Sequence, residues 1–265
     1  MDYRQTNNEL QKYMGFIRYC SSRIENETDF SIIHTILNHI DDLSSLSVDL
    51  IAAKAAVSNA SVSRLIKKMG FSSAKDLRNT LNKVRERVGL LREFYYQERT
   101  LGRDPASVAS ENALKNIQAS INSINYEKLQ HIIRIAKASD RILFIGDTRE
   151  LSIFMTFQLD FINTGIPAFA FNDLSYSLLE SRFLTERSSV ILLSLATEWH
   201  QDIYDEILTG AEKKGSHIIV FHQDDRPVFK KAEISYPYGI QGSGNAGYHS
   251  LAILNEILSA MFWQD

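Results

Sequence analysis

The chain has 265 residues, 44% apolar and 23% charged, with a formal net charge of −3. That is enough chain for one large domain or two modest ones, each able to bury a core, and the composition is that of a globular protein rather than a disordered or fibrous one. No apolar run approaches the ~20 residues that span a bilayer, and the single cysteine, Cys20, excludes an intramolecular disulfide and a cysteine-rich zinc cluster.

The opening stretch, MDYRQTNNELQKY, lacks the apolar core of a secretory signal. With one cysteine, the expected location is a reducing cytoplasm. Up to about Tyr96 the apolar residues recur at three- and four-residue spacing, the mark of amphipathic helices. FSIIHTILNHI and SVDLIAAKAAV are two such stretches, and Ser47 stands where the second needs an N-cap.

The next stretch, VSNASVSRLIKKMGF, divides its residues between two faces. Val62, Leu65, Ile66 and Met69 fall at i, i+3, i+4 and i+7, while Asn59, Ser61, Ser63, Arg64, Lys67 and Lys68 stand between them. Ser58 is placed to cap this helix, and Ala52 is small where two helices must approach closely. A short helix, a break and a second helix with a polar face is the spacing of a helix-turn-helix. On this reading Asn59, Ser61, Ser63 and Arg64 reach base edges or phosphates, and Lys67, Lys68 and Lys75 neutralise the backbone. The capping hydroxyls of Ser47 and Ser58 join the expected contact set. Ala56 occupies the turn position where glycine would ease a left-handed backbone, at a cost of ~1 kcal/mol. The plainer alternative is a helical hairpin with a solvated face.

Charge alone is even between a solvated face and a polyanion-binding one, and it favours the first reading only together with the spacing and the cap. From Lys54 to Arg87 nine basic residues face two acidic ones, a surplus of seven, whereas from Leu91 onward 16 basic residues face 22 acidic ones. A basic block beside an acidic remainder points to a polyanion-binding module joined to something else. FYYQE, Phe94 to Glu98, is expected to pack at an interface, and GRDPAS, Gly102 to Ser107, is the clearest break in the chain.

Beyond the break come two helical stretches, SVASENALKNIQASI and YEKLQHIIRIAKAS, and then the rhythm changes. RILFIG, IPAFAF, SVILLS, HIIVFH and the weaker AEISYPY are short apolar runs separated by amphipathic helices. Near-continuous apolar strands alternating with helices predict a parallel sheet covered on both faces. The expected architecture is therefore an all-α domain over 1–85, a linker over 86–105 and a five-stranded α/β domain over 106–265.

The segment LIAAKAAVSNASVSRLIKKMGFSSAKDLRNTL resembles the N-terminal domain of RpiR-type (MurR/RpiR) bacterial transcriptional regulators, with VS…SVSRLIKKMGF as its specific core. Those regulators carry a C-terminal SIS (sugar isomerase) domain, an α/β fold that binds phosphosugars, and the order of elements fits over essentially the whole chain. The resemblance implies a three-layer SIS-like domain and a sequence-specific regulator of a sugar or amino-sugar operon. It further implies a double-stranded DNA operator as partner, a sugar-derived effector, a homodimer or homotetramer, no membrane association and no cofactor.

Two motifs of that family depart from pattern here. The turn after the first strand, Gly-x-Gly-x-Ser in the family, reads GDTRE: Gly146 fits, but Thr148 and Glu150 replace the second glycine and the serine, with Arg149 between them. The loop after the third strand, Ser-x-Ser-Gly-x-Thr in the family, reads SLATEWHQ. Ser194 fits, while Ala196, Thr197 and Trp199 replace the later positions. A phosphate cradle needs small residues so that N–H groups converge on the anion. Glu150 and Glu198 are expected to bring negative charge there and Trp199 bulk, which predicts an altered ligand, or none. A competing class is a sugar-phosphate isomerase, and a third is a dimerisation scaffold without an effector. An isomerase needs a positioned base beside a held phosphosugar, and neither cradle motif is intact. GSGNAG, Gly242 to Gly247, has the form of a dinucleotide fingerprint but lacks the following strand and acidic residue. The seven histidines are scattered, and no metal site is expected.

Overall fold

The structure is a computed structural model, and it describes residues 12–13, 16–17, 19–20, 26–83, 102–172, 174–194, 201–223, 227–240 and 247–264. The chain divides into two compact units, Met1–Leu101 and Gly102–Asp265.

In the first unit each helix begins where a side chain can take up an orphan N–H. Helix α1 (Glu27–Leu37) is capped by Asn26, which accepts from Asp29 N at 2.8 Å. Helix α2 (Val48–Ala55) is capped by Ser47, which accepts from Leu50 N at 3.1 Å, and helix α3 (Asn59–Lys68) by Ser58, which accepts from Ser61 N at 3.1 Å. Residues 74–83 are again helical. Ala56 closes α2 in the left-handed region, φ 54° and ψ 43°, with its N–H directed to Ala52 O and Ala53 O. It is the one non-glycine residue with positive φ among the described residues. Val62, Leu65 and Ile66 of α3 and its C-cap residue Met69 are buried together with Ile51 and Ala52 of α2 and Ile32 and Ile36 of α1. The i, i+3, i+4, i+7 spacing thus sets one face of α3 into the core and leaves the other for solvent.

The second unit opens at the Gly-Pro break. Helix α4 (Pro105–Asn122) is capped by Asp104, which accepts from Ser107 N at 2.8 Å, with proline at the start of the helix, where its missing N–H costs nothing. Helix α5 (Tyr126–Ala138) follows, and then strand β1 (Ile142–Ile145), helices α6 (Thr148–Ile153) and α7 (Met155–Asn163), strand β2 (Ala168–Ala170) and helix α8 (Leu174–Glu180). Strand β3 (Ser189–Ser194), helix α9 (Gln201–Lys213), strands β4 (His217–His222) and β5 (Ile234–Pro237) and helix α10 (Gly247–Phe262) complete it.

The five strands form one parallel sheet in the order β2-β1-β3-β4-β5. Successive side chains alternate between its two faces. Phe144, Ile191, Leu193, Ile219 and Phe221 join a core with α5, α7 and α10, in which Phe157 lies 4.8 Å from Phe161 and 6.4 Å from Phe144, centroid to centroid. Leu143, Ile145, Val190, Leu192, Ile218 and Val220 join a second core with Leu174 of α8 and Tyr204, Ile207, Leu208 and Ala211 of α9. Burial on both faces is why the strands read as continuous apolar runs. AEISYPY, the weakest run, is the edge strand β5. The order places β1 beside β3, so the chain leaves their C-terminal ends in opposite directions along the sheet. That is the switch point where open α/β sheets hold ligands.

Candidate functional site

Two places carry the polar residues singled out in the sequence. The first is the outer face of α3. Ala60, Ser63, Arg64 and Lys67 are exposed there, a stripe at i, i+3, i+4 and i+7 opposite the buried one. Arg64 donates from Nη2 to Ser61 Oγ at 3.4 Å, and Ser61 Oγ lies 3.0 Å from Ser58 Oγ, so the start of the helix carries a short chain of hydroxyls ending in a guanidinium. Ser47 spends an acceptor lone pair on its cap and keeps an O–H to donate, while the Ser58 hydroxyl both caps α3 and shares a hydrogen bond with Ser61 Oγ.

Two of the expected contacts are engaged within the unit. Lys68 Nζ lies 3.6 Å from Asp29 Oδ2 and 5.6 Å from the centroid of the Tyr19 ring, while the Tyr19 hydroxyl donates to the same carboxylate at 2.8 Å. Lys68, expected to neutralise the DNA backbone, thus has a carboxylate on α1 beside it that answers part of its charge. Asn59 donates from Nδ2 to Asp49 Oδ1 on α2 at 2.5 Å. Asn26, Asp29, Ser61, Arg64, Leu65 and Lys68 line a cavity of about 340 Å³ between α3 and the start of α1. Sequence reasoning missed Asp29 and Asp49. Both are acidic residues in the first turn of a helix, a pattern that reads as macrodipole compensation and hides a second use.

The second place is the switch point. Gly146 follows β1, and Ser194, the last residue of β3, is buried. A Cβ at Gly146 would stand 2.9 Å from Glu150 Oε2 and 3.1 Å from Leu193 O, so glycine is what lets the turn pass this close to β3. The Glu150 side chain is buried, at 1% exposure, and its Oε2 accepts from Asp147 N at 2.8 Å at the start of α6. One carboxylate oxygen therefore serves the chain's own N–H at the start of α6, in the manner of a capping box.

Arg149 is exposed and lays its guanidinium over the Tyr248 ring at the start of α10, 3.7 Å from the centroid. Burial pushes the Tyr248 phenol above its ordinary pKa, the Glu150 charge adds to this, and Arg149 opposes it. Thr148 opens α6 and is half-buried. Ala196, Thr197, Glu198 and Trp199 lie outside the described residues, as do the linker residues 86–101, FYYQE and most of GSGNAG. No group of three or more His, Cys, Asp or Glu among the described residues could hold a metal ion, and no described helix is long and apolar enough to cross a membrane.

A family profile described as the helix-turn-helix domain of the rpiR family matches residues 16–85. The HTH-type transcriptional regulator GlvR of Bacillus subtilis (strain 168) is 29% identical over 121 residues, 46% of this chain; the chain spans 42% of the length of that relative. Among solved structures, the NanR protein of Vibrio vulnificus complexed with ManNAc-6P is similar with a TM-score of 0.53 at 15% identity, over 94% of this chain and 91% of that one. The sugar isomerase domain of an RpiR transcription factor from Sphaerobacter thermophilus is similar with a TM-score of 0.51 at 15% identity, over 60% of this chain and 89% of that one. Residues 16–85 thus match the helix-turn-helix model of the rpiR family, and the second unit has the fold of a sugar isomerase domain.

Proposed function

We propose that the protein is a sequence-specific DNA-binding transcriptional regulator of a sugar or amino-sugar operon. The observation that carries this reading is the exposed stripe Ser63, Arg64 and Lys67 on α3, set opposite the face that α1 and α2 bury. The matched family and GlvR, itself named a transcriptional regulator, support it. Ser47, Ser58, Asn59, Ser61, Ser63, Arg64 and Lys67 form the DNA-facing set, and Lys68 contributes what Asp29 leaves of its charge. One recognition helix covers too little DNA for useful specificity, so the protein works as a homodimer or homotetramer on two-fold related half-sites. The α/β unit holds the protomers together. A footprint upstream of the neighbouring operon tests the reading: a protected, partly palindromic site supports it, and uniform, salt-sensitive binding without a preferred site refutes it.

For the α/β unit we propose an effector less anionic than a phosphosugar, bound near Gly146, Thr148, Arg149, Glu150, Ser194, Ala196, Thr197 and Trp199. The carboxylate of Glu150 already accepts the N–H at the first strand's turn, so an anion placed there would compete with it. Calorimetry of the full chain with hexose and amino-sugar phosphates is expected to give no binding in the low-micromolar range; any such binding overturns this part. Sugar-phosphate isomerisation is the second class of activity compatible with the fold. It would need a base beside a held phosphosugar, and the two motif positions that have turned from small residues into Glu150 and Trp199 weigh against it.

A further inference from the structure

Asn59, the first residue of α3, and Asp49, in the first turn of α2, are both exposed and joined by the 2.5 Å hydrogen bond from Asn59 Nδ2 to Asp49 Oδ1. An ionised carboxylate can only accept. The carboxamide must therefore turn its nitrogen toward Asp49, since the flipped amide would set two oxygens against each other. Of its two N–H donors and one carbonyl, one N–H is spent. What remains is an acceptor beside a donor.

Adenine presents the complement of that pair in the major groove, an N6 amino donor beside an N7 acceptor. Guanine presents two acceptors and would set its O6 against Oδ1. Thymine offers an acceptor and a methyl group, and cytosine a donor with no acceptor beside it. We propose that Asp49 is a positioning residue that fixes the Asn59 carboxamide so that Asn59 reads an adenine in each half-site. The inference rests on the DNA-reading function proposed above and adds a base and a second residue to it.

The charge of Asp49 separates this role from a merely structural one. A carboxylate on a face that meets a polyanion lowers affinity for DNA of any sequence. Removing it should thus raise affinity for random DNA while erasing one base preference. Loss of a structural prop would lower both.

The test is selection of bound sequences from a random duplex library by the full-length wild type, Asn59→Ala, Asp49→Ala and Asp49→Asn, followed by titration of single-base variants of the selected site. The wild type is expected to prefer adenine at one position per half-site by about ten- to a hundredfold. Asn59→Ala and Asp49→Ala should both lose that preference at that same position, with all others kept. Asp49→Asn, which retains an acceptor for the Asn59 nitrogen, should keep it at least in part. The inference is overturned if the two alanine variants keep every preference, lose different positions, or lose one whose preferred base is not adenine. A wild type that enriches no sequence overturns the DNA-reading function itself, an outcome distinct from selective binding with Asp49 playing no part.

Discussion

The outer face of α3 and the turn after β1 both carry charged residues at motif positions, yet they use them in opposite ways. On α3 the side chains of Ser63, Arg64 and Lys67 stand in solvent, and the apolar residues between them supply the attachment to the core. After β1, Glu150 folds inward to serve the first turn of α6, and Arg149 lies on Tyr248. The difference follows from what each helix start already owns. α3 begins with Ser58, whose hydroxyl meets the cap's need and frees the later polar residues. α6 begins with a reciprocal capping box, in which the Asp147 side chain accepts from the backbone of the first turn and Glu150 accepts the Asp147 N–H, so that carboxylate is engaged with the backbone. A polar residue is available to a partner only after the backbone around it has been satisfied.

The sharpest way to break this contrast is Glu150→Ala. It strips the acceptor from the Asp147 N–H and empties buried space beside Gly146, and it should destabilise the α/β unit by ~2 kcal/mol in denaturant titration. Unchanged stability would mean that the carboxylate is not needed there. Arg64→Ala should do the reverse: within ~0.5 kcal/mol of wild type in stability, but weaker on operator DNA by ~1–3 kcal/mol if Arg64 reads a base. Equal operator affinity of mutant and wild type would remove Arg64 from the reading surface.

Ala56→Gly comes next in size. It relieves the left-handed backbone between α2 and α3 and should raise the stability of the helix-turn-helix by ~0.5–1 kcal/mol, the relief being partly offset by the looser unfolded chain. A destabilised variant would show that the alanine methyl contributes more than the strain removes.

Acid is expected to treat the two units alike. Asp76 is opposed by burial but held below the ordinary carboxylate range by Lys12 Nζ at 2.8 Å and by Ser72. Asp140, also opposed by burial, is held down by Ser188 and Thr185. Glu111 is lowered to about 2 by Lys115 and Arg103. A carboxylate depressed in the folded state stabilises above its unfolded pKa, and that stability is lost as pH falls through the folded value. Stability should hold above about pH 4 and decline below it, in a melting series that includes Asp76→Asn and Asp140→Asn. Each substitution should flatten the acid limb.

Much of this was legible in the sequence, for definite reasons. The i, i+3, i+4, i+7 spacing of Val62 to Met69 fixes the buried face of α3, and the serines at 47 and 58 fix where α2 and α3 begin. The apolar runs from Ile142 to Tyr236 fix the sheet, because a strand covered on both faces must be apolar throughout. Partnership across elements was not legible. Asp49 and Asn59 are ten residues apart in the chain, and neither periodicity nor propensity says that their side chains meet. Nor does the replacement of a family serine by Glu150 say whether the carboxylate faces a ligand or the backbone. That depends on how close Gly146 lets the turn come to Leu193.

The strand order has a consequence in time. β1 pairs with β3, Ile142 against Ser189, while β2 and the helices between them are set aside to the edge. The central pairing therefore closes a longer loop than the β1–β2 or β3–β4 pairing does, and parallel sheets of this kind are slow to nucleate. The helices of the first unit meet through near neighbours in sequence. After dilution from denaturant, α3 and its outer face should form well before the sheet does. On the proposed division of labour, the protein would bind DNA weakly and as a monomer first, then gain two-fold avidity as the α/β unit folds and brings a second copy with it.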